Sequence, residues 1–397
     1  MISAALSGAE RRTVAALAAI YSTRMLGLFL LLPVLALYAS SLPGATPALI
    51  GLSMGAYGLT QAILQVPFGM WSDRYRRKPV ITVGLIIFAA GSLAGVYAHT
   101  IFELILARSL QGAGAVSAAV TALMADHTRA EVRTRAMAFI GVAIGGSFVV
   151  SLVAGPLLQA AIGVAGIFAL IAGLCVLGLV LLHAAVPQDL PSSPSQALGL
   201  RKFMQALSNR RARVLYFGVF VLHFVLTAVF LVIPLTLVGA LNWPEEAHWK
   251  IYLGVFVASL FGTVPMILRS ERGSTQLLPT AVLLGAASQA LLAFGREHQT
   301  LLMVGLTVFF AAFNFLEARI PALLTLAVGA EERGTALGVF ATCQFLGAFA
   351  GGALGGQIMQ HMGPSAVFAV TAGACLIWAV FAHRTTVNFD EPAPKLG

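Results

Sequence analysis

Stretches of about 20 apolar residues recur along the whole sequence, and as helices each is long enough to cross a hydrocarbon core about 30 Å thick. They lie near 14–39, 47–71, 79–98, 102–124, 136–160, 162–186, 213–240, 248–268, 277–294, 300–328, 334–360 and 364–383. Lipid offers a backbone no water to bond, so segments of this kind must satisfy their own hydrogen bonds as helices. Of the 397 residues, 59% are hydrophobic and only 10% charged, which excludes a water-soluble globular domain. The expected fold class is an all-α membrane protein of twelve transmembrane helices.

The loops between these spans are unequal in charge. One set, together with both ends of the chain, holds nineteen of the twenty-four Lys and Arg residues, clustered at 11–12, 74–78, 129–135 and 201–213. Short basic loops stay in the cytoplasm, so both termini are placed there and the number of spans is even. The net charge of +9 then reflects topology and contact with anionic lipids of the bilayer, not nucleic acid. Cys175, Cys343 and Cys375 sit inside spans without paired metal spacing, so neither a disulfide nor a metal site is expected. The first span is too long for a signal-peptide core and lacks a cleavage site, so it is expected to be retained. No phosphate-binding Gly-rich loop ending in Lys-Ser or Lys-Thr is present, which argues against direct ATP use, and no cofactor is expected.

Internal similarity divides the chain. Phe29-Leu-Leu-Leu-Pro33 in the first span resembles Phe230-Leu-Val-Ile-Pro234 in the seventh, at an offset of 201. Glu131-Val-Arg133-Thr-Arg-Ala136-Met137 before the fifth span resembles Glu331-Glu-Arg333-Gly-Thr-Ala336-Leu337 before the eleventh, at an offset of 200. Two matches at nearly one offset predict a six-helix bundle over 1–186, a second in the same orientation over 213–390, and a tail at 391–397. Transporters of several folds are built from such repeats and bind substrate where the repeats meet. Between the halves runs a polar stretch, 187–212, opening on Pro187, Pro191 and Pro194 with serines. Its second part sets Leu198, Leu200, Phe203, Met204 and Leu207 among Arg201, Lys202, Arg210 and Arg211, either a solvated linker or an amphipathic helix on the membrane surface.

The loop after the second span reads Gly69-Met-Trp-Ser-Asp73-Arg74-Tyr-Arg76-Arg77-Lys78-Pro79. A glycine permits close helix approach, and an aspartate near the amino end of a helix is stabilised by its dipole. A plain cytoplasmic anchor explains the basic residues but not the Gly-x-x-x-Asp spacing. This loop resembles the signature of the major facilitator superfamily, with Arg76 where a glycine is usual. The resemblance implies two six-helix bundles that alternate access to a central cavity, and a conformational gate built from Gly69, Asp73, Arg74, Arg77 and Asp126, with Asp73 capping the eleventh span.

In the fourth span, Arg108-Ser-Leu-Gln111-Gly112-Ala-Gly114 is similar to the superfamily's Arg-x-x-x-Gly-x-Gly motif, whose arginine is linked to proton coupling. An arginine that bonds backbone carbonyls and holds helices together is the structural alternative. The pair Gly155-Pro156 resembles the mark of drug antiporters, although Gln159 and Ala160 replace later glycines, and plain helix packing explains it equally. The same packing reading covers Gly145-Gly146, Gly347, Gly351-Gly352 and Gly355-Gly356. Across most of the chain, Arg24-Met-Leu-Gly27-Leu-Phe29, Tyr57-Gly-Leu-Thr-Gln61, Pro67-Phe-Gly69, Arg135 to Gly141 and Gln344-Phe-Leu-Gly347 resemble the YajR-type drug-efflux branch of the superfamily. Members of that branch carry a small soluble domain after the last span, and with the sequence stopping at Gly397 that domain is expected to be absent here.

Charges inside the spans locate a candidate site. Arg24 and Glu317 each lie about 11 residues from the basic side, a depth of roughly 16 Å at 1.5 Å per residue, so depth permits them to meet. If the first, fourth, seventh and tenth spans line the cavity, as the resemblance implies, Arg24, Arg108, His223 and Glu317 project near it. Glu317 is then expected to take up and release a proton as its surroundings alternate between wet and dry, with Arg24 opposing the uptake. A permanent structural ion pair, and for His223 a simple core hydrogen bond, are the other readings. Phe29, Tyr57, Gln61, Gln65, Phe313, Asn314 and Gln344 suit a cavity wall for partly apolar compounds.

The function expected is a proton-coupled secondary transporter, monomeric, in the inner membrane of a bacterium, exporting amphipathic small molecules. A transporter of sugars, peptides or lysolipids is the alternative within the fold, and a non-transporting sensor or scaffold the alternative of another class. An enzyme is not expected, because no nucleophile, metal set or cofactor lysine is organised within the spans.

Overall fold

The computed structural model describes residues 6–187, 200–272, 276–329 and 332–386, which hold helices and no strand. In chain order the helices are α1 Gly8–Phe29, α2 Leu35–Ser40, α3 Pro47–Tyr75, α4 Arg77–Val96, α5 Ile101–Ala113, α6 Ser117–Asp126 and α7 Ala130–Ala185. After them come α8 Leu200–Ser208, α9 Arg210–Gly239, α10 His248–Glu271, α11 Leu277–Gly295, α12 Gln299–Ala327, α13 Arg333–Met362 and α14 Pro364–Thr386. Ten helical segments among the described residues are long and apolar enough to cross a membrane. The longest, α7, contains two expected spans, because Gly163 at φ 68°, ψ 172° turns the chain between them. The first span is not among the ten, whereas the fourth, although it is broken, is included over Ile101–Asp126.

Two spans are interrupted where hydropathy alone predicts continuity. The first stops at Phe29 and resumes at Leu35, with Leu32 and Val34 bonding carbonyls three residues back, Phe29 at 3.1 Å and Leu31 at 3.2 Å. Pro33 supplies no N–H and clashes with a continuing α-turn, so the backbone tightens there. The fourth span stops at Ala113 and resumes at Ser117. Gly114, at φ −73°, ψ 56°, takes the inverse γ-turn geometry, and the amides of Ala115 and Val116 each bond a carbonyl two residues back at 2.9 Å.

Local chemistry marks the helix starts. Ser7 with Glu10 and Thr100 with Glu103 form capping boxes on α1 and α5, and Thr46 caps α3 with Pro47 in its first turn. Between α3 and α4 the single residue Arg76 holds φ 79°, ψ 154°. That left-handed region favours glycine, the residue usual at this place in the loop signature.

The described residues form two compact units. One runs to Leu200 and includes Glu245–Trp249; the other comprises Arg201–Pro244 and the chain from Lys250. Residues 188–199 of the expected linker and the tail at 391–397 lie outside the described residues. In the first unit Leu17, Ile20, Ile81, Val116, Leu123 and Leu182 share one core. In the second, Phe230 meets Tyr252 at a tilt and Phe310 edge-on, with ring centroids 5.8 and 6.4 Å apart.

The same helix pairing recurs in each unit. In the first, Gly155 of α7 brings its helix against α1, since a Cβ there would stand 2.7 Å from the Leu30 carbonyl oxygen. In the second, Cβ atoms at Gly347 and Gly351 of α13 would stand 2.1 and 2.3 Å from the Phe220 and Phe224 carbonyl oxygens of α9. Only glycine permits these backbones to meet. By contrast, a Cβ at Gly145 or Gly146 would meet nothing within 4 Å.

Candidate functional site

In the first unit the broken fourth span packs against α1, α3 and α4 around two buried arginines. Arg24 of α1 is 2% exposed. Its Nη1 donates to the hydroxyl of Ser117, the first residue of α6, and its Nη2 to the Gln61 amide oxygen and, at 3.0 Å, to the Tyr57 hydroxyl. The Gln61 amide nitrogen in turn donates to Gln65 at 2.9 Å. These partners of Arg24 are all neutral, and its Nε is buried without a hydrogen bond.

Arg108 of α5 is 3% exposed. It donates to the Gln111 amide oxygen at 2.7 Å, and Gln111 donates to Ser92 at 2.9 Å. Its guanidinium carbon lies 5.0 Å from the centroid of the Tyr57 ring, and its Nε is likewise unbonded. Neither arginine belongs to a salt bridge among the described residues. A cation–π contact in a dry site is worth about 2 kcal/mol, less than the several kcal/mol that burying an ion costs.

In the second unit, His223 of α9, Glu317 of α12 and Gln344 of α13 meet. His223 Nδ1 is 3.1 Å from the Val219 carbonyl oxygen, the place for a ring N–H donor. Its Nε2 lies 2.7 Å from the Gln344 amide nitrogen and 3.8 Å from Glu317 Oε2, and Gln344 also reaches Glu317 Oε1 at 3.5 Å. A neutral ring with its proton on Nδ1 accepts from Gln344 through Nε2. A second proton turns Nε2 into a donor, and the carboxylate of Glu317 becomes the natural acceptor. The Glu317 side chain is 33% exposed. Phe313 packs beside His223 at 6.0 Å between ring centroids, and Asn314 donates to Ser259 at 3.3 Å.

A third cluster joins the ends of α3, α4 and α6. Arg77, 4% exposed, donates to the Asp73 carboxylate, to Ser72 at 3.0 Å and to Asp126 at 3.1 Å. Close by in sequence, Arg129 clasps Glu10 through Nε and Nη2, each at 3.0 Å, and through its backbone amide at 3.1 Å. The Arg129 guanidinium, helped by the Ser7 and Arg129 amides, holds the Glu10 carboxyl far below the usual carboxylate range.

The expected residues thus separate into groups. Arg24, Arg108, Tyr57, Gln61 and Gln65 gather in the first unit, and His223, Glu317, Gln344 and Phe313 in the second. Arg24 and Glu317 each bond residues of their own unit. Phe29 meets Phe148 edge-on at 5.2 Å. Arg74, expected among the gate charges, lies over the Tyr75 ring at 5.5 Å. At Gly69 a Cβ would find Ala118 at an ordinary 3.6 Å, so the first unit alone does not require glycine there.

Sequence reasoning did not single out Ser117, Ser92, Ser259, Glu10 or Arg129. Gly114 three residues before Ser117 was the available signal for a helix restart, and Ser7 three residues before Glu10 the signal for a capping box.

Comparison with known proteins bears on these features. Residues 17–270 and 215–396 match the family model described as Major Facilitator Superfamily. The chain is 40% identical to the inner membrane transport protein YajR of Escherichia coli K12 over 377 residues, covering 94% of this chain and 83% of that protein. It is 28% identical to multidrug resistance protein 2 of Bacillus subtilis 168, covering 84% of this chain and 86% of that one. Among solved structures, a bacterial homologue of the human lysosomal transporter Spinster, inward-facing and unoccupied, superposes with a TM-score of 0.75 at 15% identity, covering 98% of this chain and 99% of that one. The human organic anion transporter MFSD10 superposes at 0.69 with 19% identity, covering 94% of this chain and 99% of that one. At these identities the two structures speak to the fold alone.

Proposed function

The chain belongs to the Major Facilitator Superfamily and is a multi-pass membrane transporter, not an enzyme; from that premise we propose that it exports amphipathic small molecules in exchange for protons. The observation that carries the coupling is the His223, Glu317 and Gln344 cluster. It offers a carboxylate and an imidazole within reach of one amide, with Nε2 able to accept in one protonation state and donate in the other. A proton on Glu317 removes the acceptor that a protonated His223 would use, so proton occupancy and side-chain arrangement are tied together.

In this reading Arg24 and Arg108 hold fixed positive charge in the first unit and oppose proton uptake nearby when the cavity closes. Tyr57, Gln61, Gln65, Phe29, Phe313, Asn314 and Gln344 contribute the substrate wall, mixing ring faces with amides. The Asp73, Arg77 and Asp126 cluster, with Gly69 and Arg74 beside it, acts as the conformational gate, and Gly155 with Pro156 keeps α7 on α1. Both termini lie in the cytoplasm, a reading supported by the distribution of basic loops, and the membrane is the inner one, as for the inner membrane transport protein YajR. The carrier works as a monomer amid anionic lipid. Relatives named for multidrug resistance support export, and the amide-rich wall supports partly apolar cargo.

The test is flux in liposomes holding the purified protein. With an acid interior, wild type concentrates an amphipathic dye or drug inside, whereas Glu317→Gln equilibrates it without responding to the pH gradient. Full gradient-driven accumulation by the variant contradicts the coupling role, and the absence of any solute flux favours a sensor or scaffold.

A further inference from the structure

The fourth span restarts at Ser117, and the restart is chemically unfinished. α6 is ten residues long, and its N-cap Val116, at φ −89°, ψ −5°, makes no side-chain bond to the first turn. The first amides of a helix have no intrahelical acceptor and carry the positive end of the helix dipole. Arg24 adds a full positive charge at this point, because its Nη1 bonds the hydroxyl of Ser117 itself. Its buried Nε has no partner, and the same holds for Arg108, which lies over the ring of the Tyr57 whose hydroxyl Arg24 bonds. Two guanidinium ions and a helix start therefore share a dry region with no carboxylate paired to either among the described residues. Charge buried on one sign alone is costly, and an anion seated there lowers that cost.

We propose that the restart of the fourth span is an anion site, taking a compact oxyanion such as a sulfonate or carboxylate on the first-turn amides of α6 against the Arg24 guanidinium. Within the transport reading, on which this extension rests, the site makes the substrates amphipathic anions: an apolar body beside Tyr57 and an acidic head at Ser117. Inorganic chloride has the same charge and is the other source of an anion.

Thermal unfolding of the purified full chain tests the site directly. The probes are naphthalene-1-sulfonate, its neutral sulfonamide and 1-naphthylmethylammonium, at one concentration in a chloride-free zwitterionic buffer. The sulfonate is expected to raise the midpoint saturably and several-fold more than either other probe. Arg24→Met is expected to lose that difference, and Arg24→Lys to keep part of it. A chloride titration giving the full rise by itself assigns the free ion, and a rise confined to the organic anion assigns the substrate head; both support the site. Equal responses to the three probes overturn it without any variant, and so does an undiminished response in Arg24→Met. Liposome uptake separates this from the transport reading. An anion-specific rise without passage of any solute keeps the site and removes the carrier, whereas solute passage without anion discrimination removes the site and keeps the carrier.

Discussion

Arg76 carries a backbone conformation that its side chain does not want. At φ 79°, ψ 154° an L-residue is strained by about 1–3 kcal/mol, and this is where the loop signature usually has glycine. Arg76→Gly is therefore expected to stabilise the folded protein by roughly 1 kcal/mol, the gain being limited by the extra freedom of glycine in the unfolded chain. Chemical unfolding in detergent reads the difference, and a loss of stability contradicts it. The neighbouring arginines show what a sequence position does and does not reveal. Arg77 reaches Asp73 and Asp126 as the loop motif implies, while Arg74 stacks on Tyr75. Arg24 was legible as a buried cation from its depth alone. Its neutral partners were not, because depth is one coordinate of three and says nothing of which neighbours face the side chain.

Among the elements, close packing and breaks decide more than hydropathy does. A Cβ at Gly351 would lie 2.3 Å from a backbone carbonyl oxygen, which cannot swing away as a side chain can. Gly351→Ala is expected to cost about 1–3 kcal/mol by forcing α9 and α13 apart. Gly173 of α7 has nothing within 4 Å, so Gly173→Ala is expected to be neutral or to gain up to about 1 kcal/mol of helix propensity. Midpoints measured on the two variants side by side check both values, and a similar loss in each contradicts the packing argument.

The spans themselves were legible because length and apolarity determine them. The interruptions at 30–34 and 114–116 were not, since apolar residues continue through both. Even the local pattern is ambiguous: Phe-x-x-x-Pro ends α1 near Pro33, whereas the matching Pro234 sits inside an unbroken α9. The surroundings of the proline, not the proline alone, choose between a break and an accommodated kink.

At the scale of the molecule, two units of like helix pairing come from a chain that repeats itself at an offset of 201. That repeat and the basic loops were readable in advance because both are properties of composition along the chain. The resemblance placed His223 and Glu317 near one cavity and Gln344 in its wall, but their direct contact through the Gln344 amide was not readable, since they stand on three helices far apart in sequence. Their meeting is the basis of proton coupling in this account, and coupling must run in both directions. A substrate gradient across liposomes with no initial pH difference should therefore move protons against it. A pH-sensitive dye trapped inside is predicted to report that shift with wild type and to stay flat with Glu317→Gln while substrate still crosses. Substrate crossing with no shift in wild type, or an equal shift in the variant, would contradict the account.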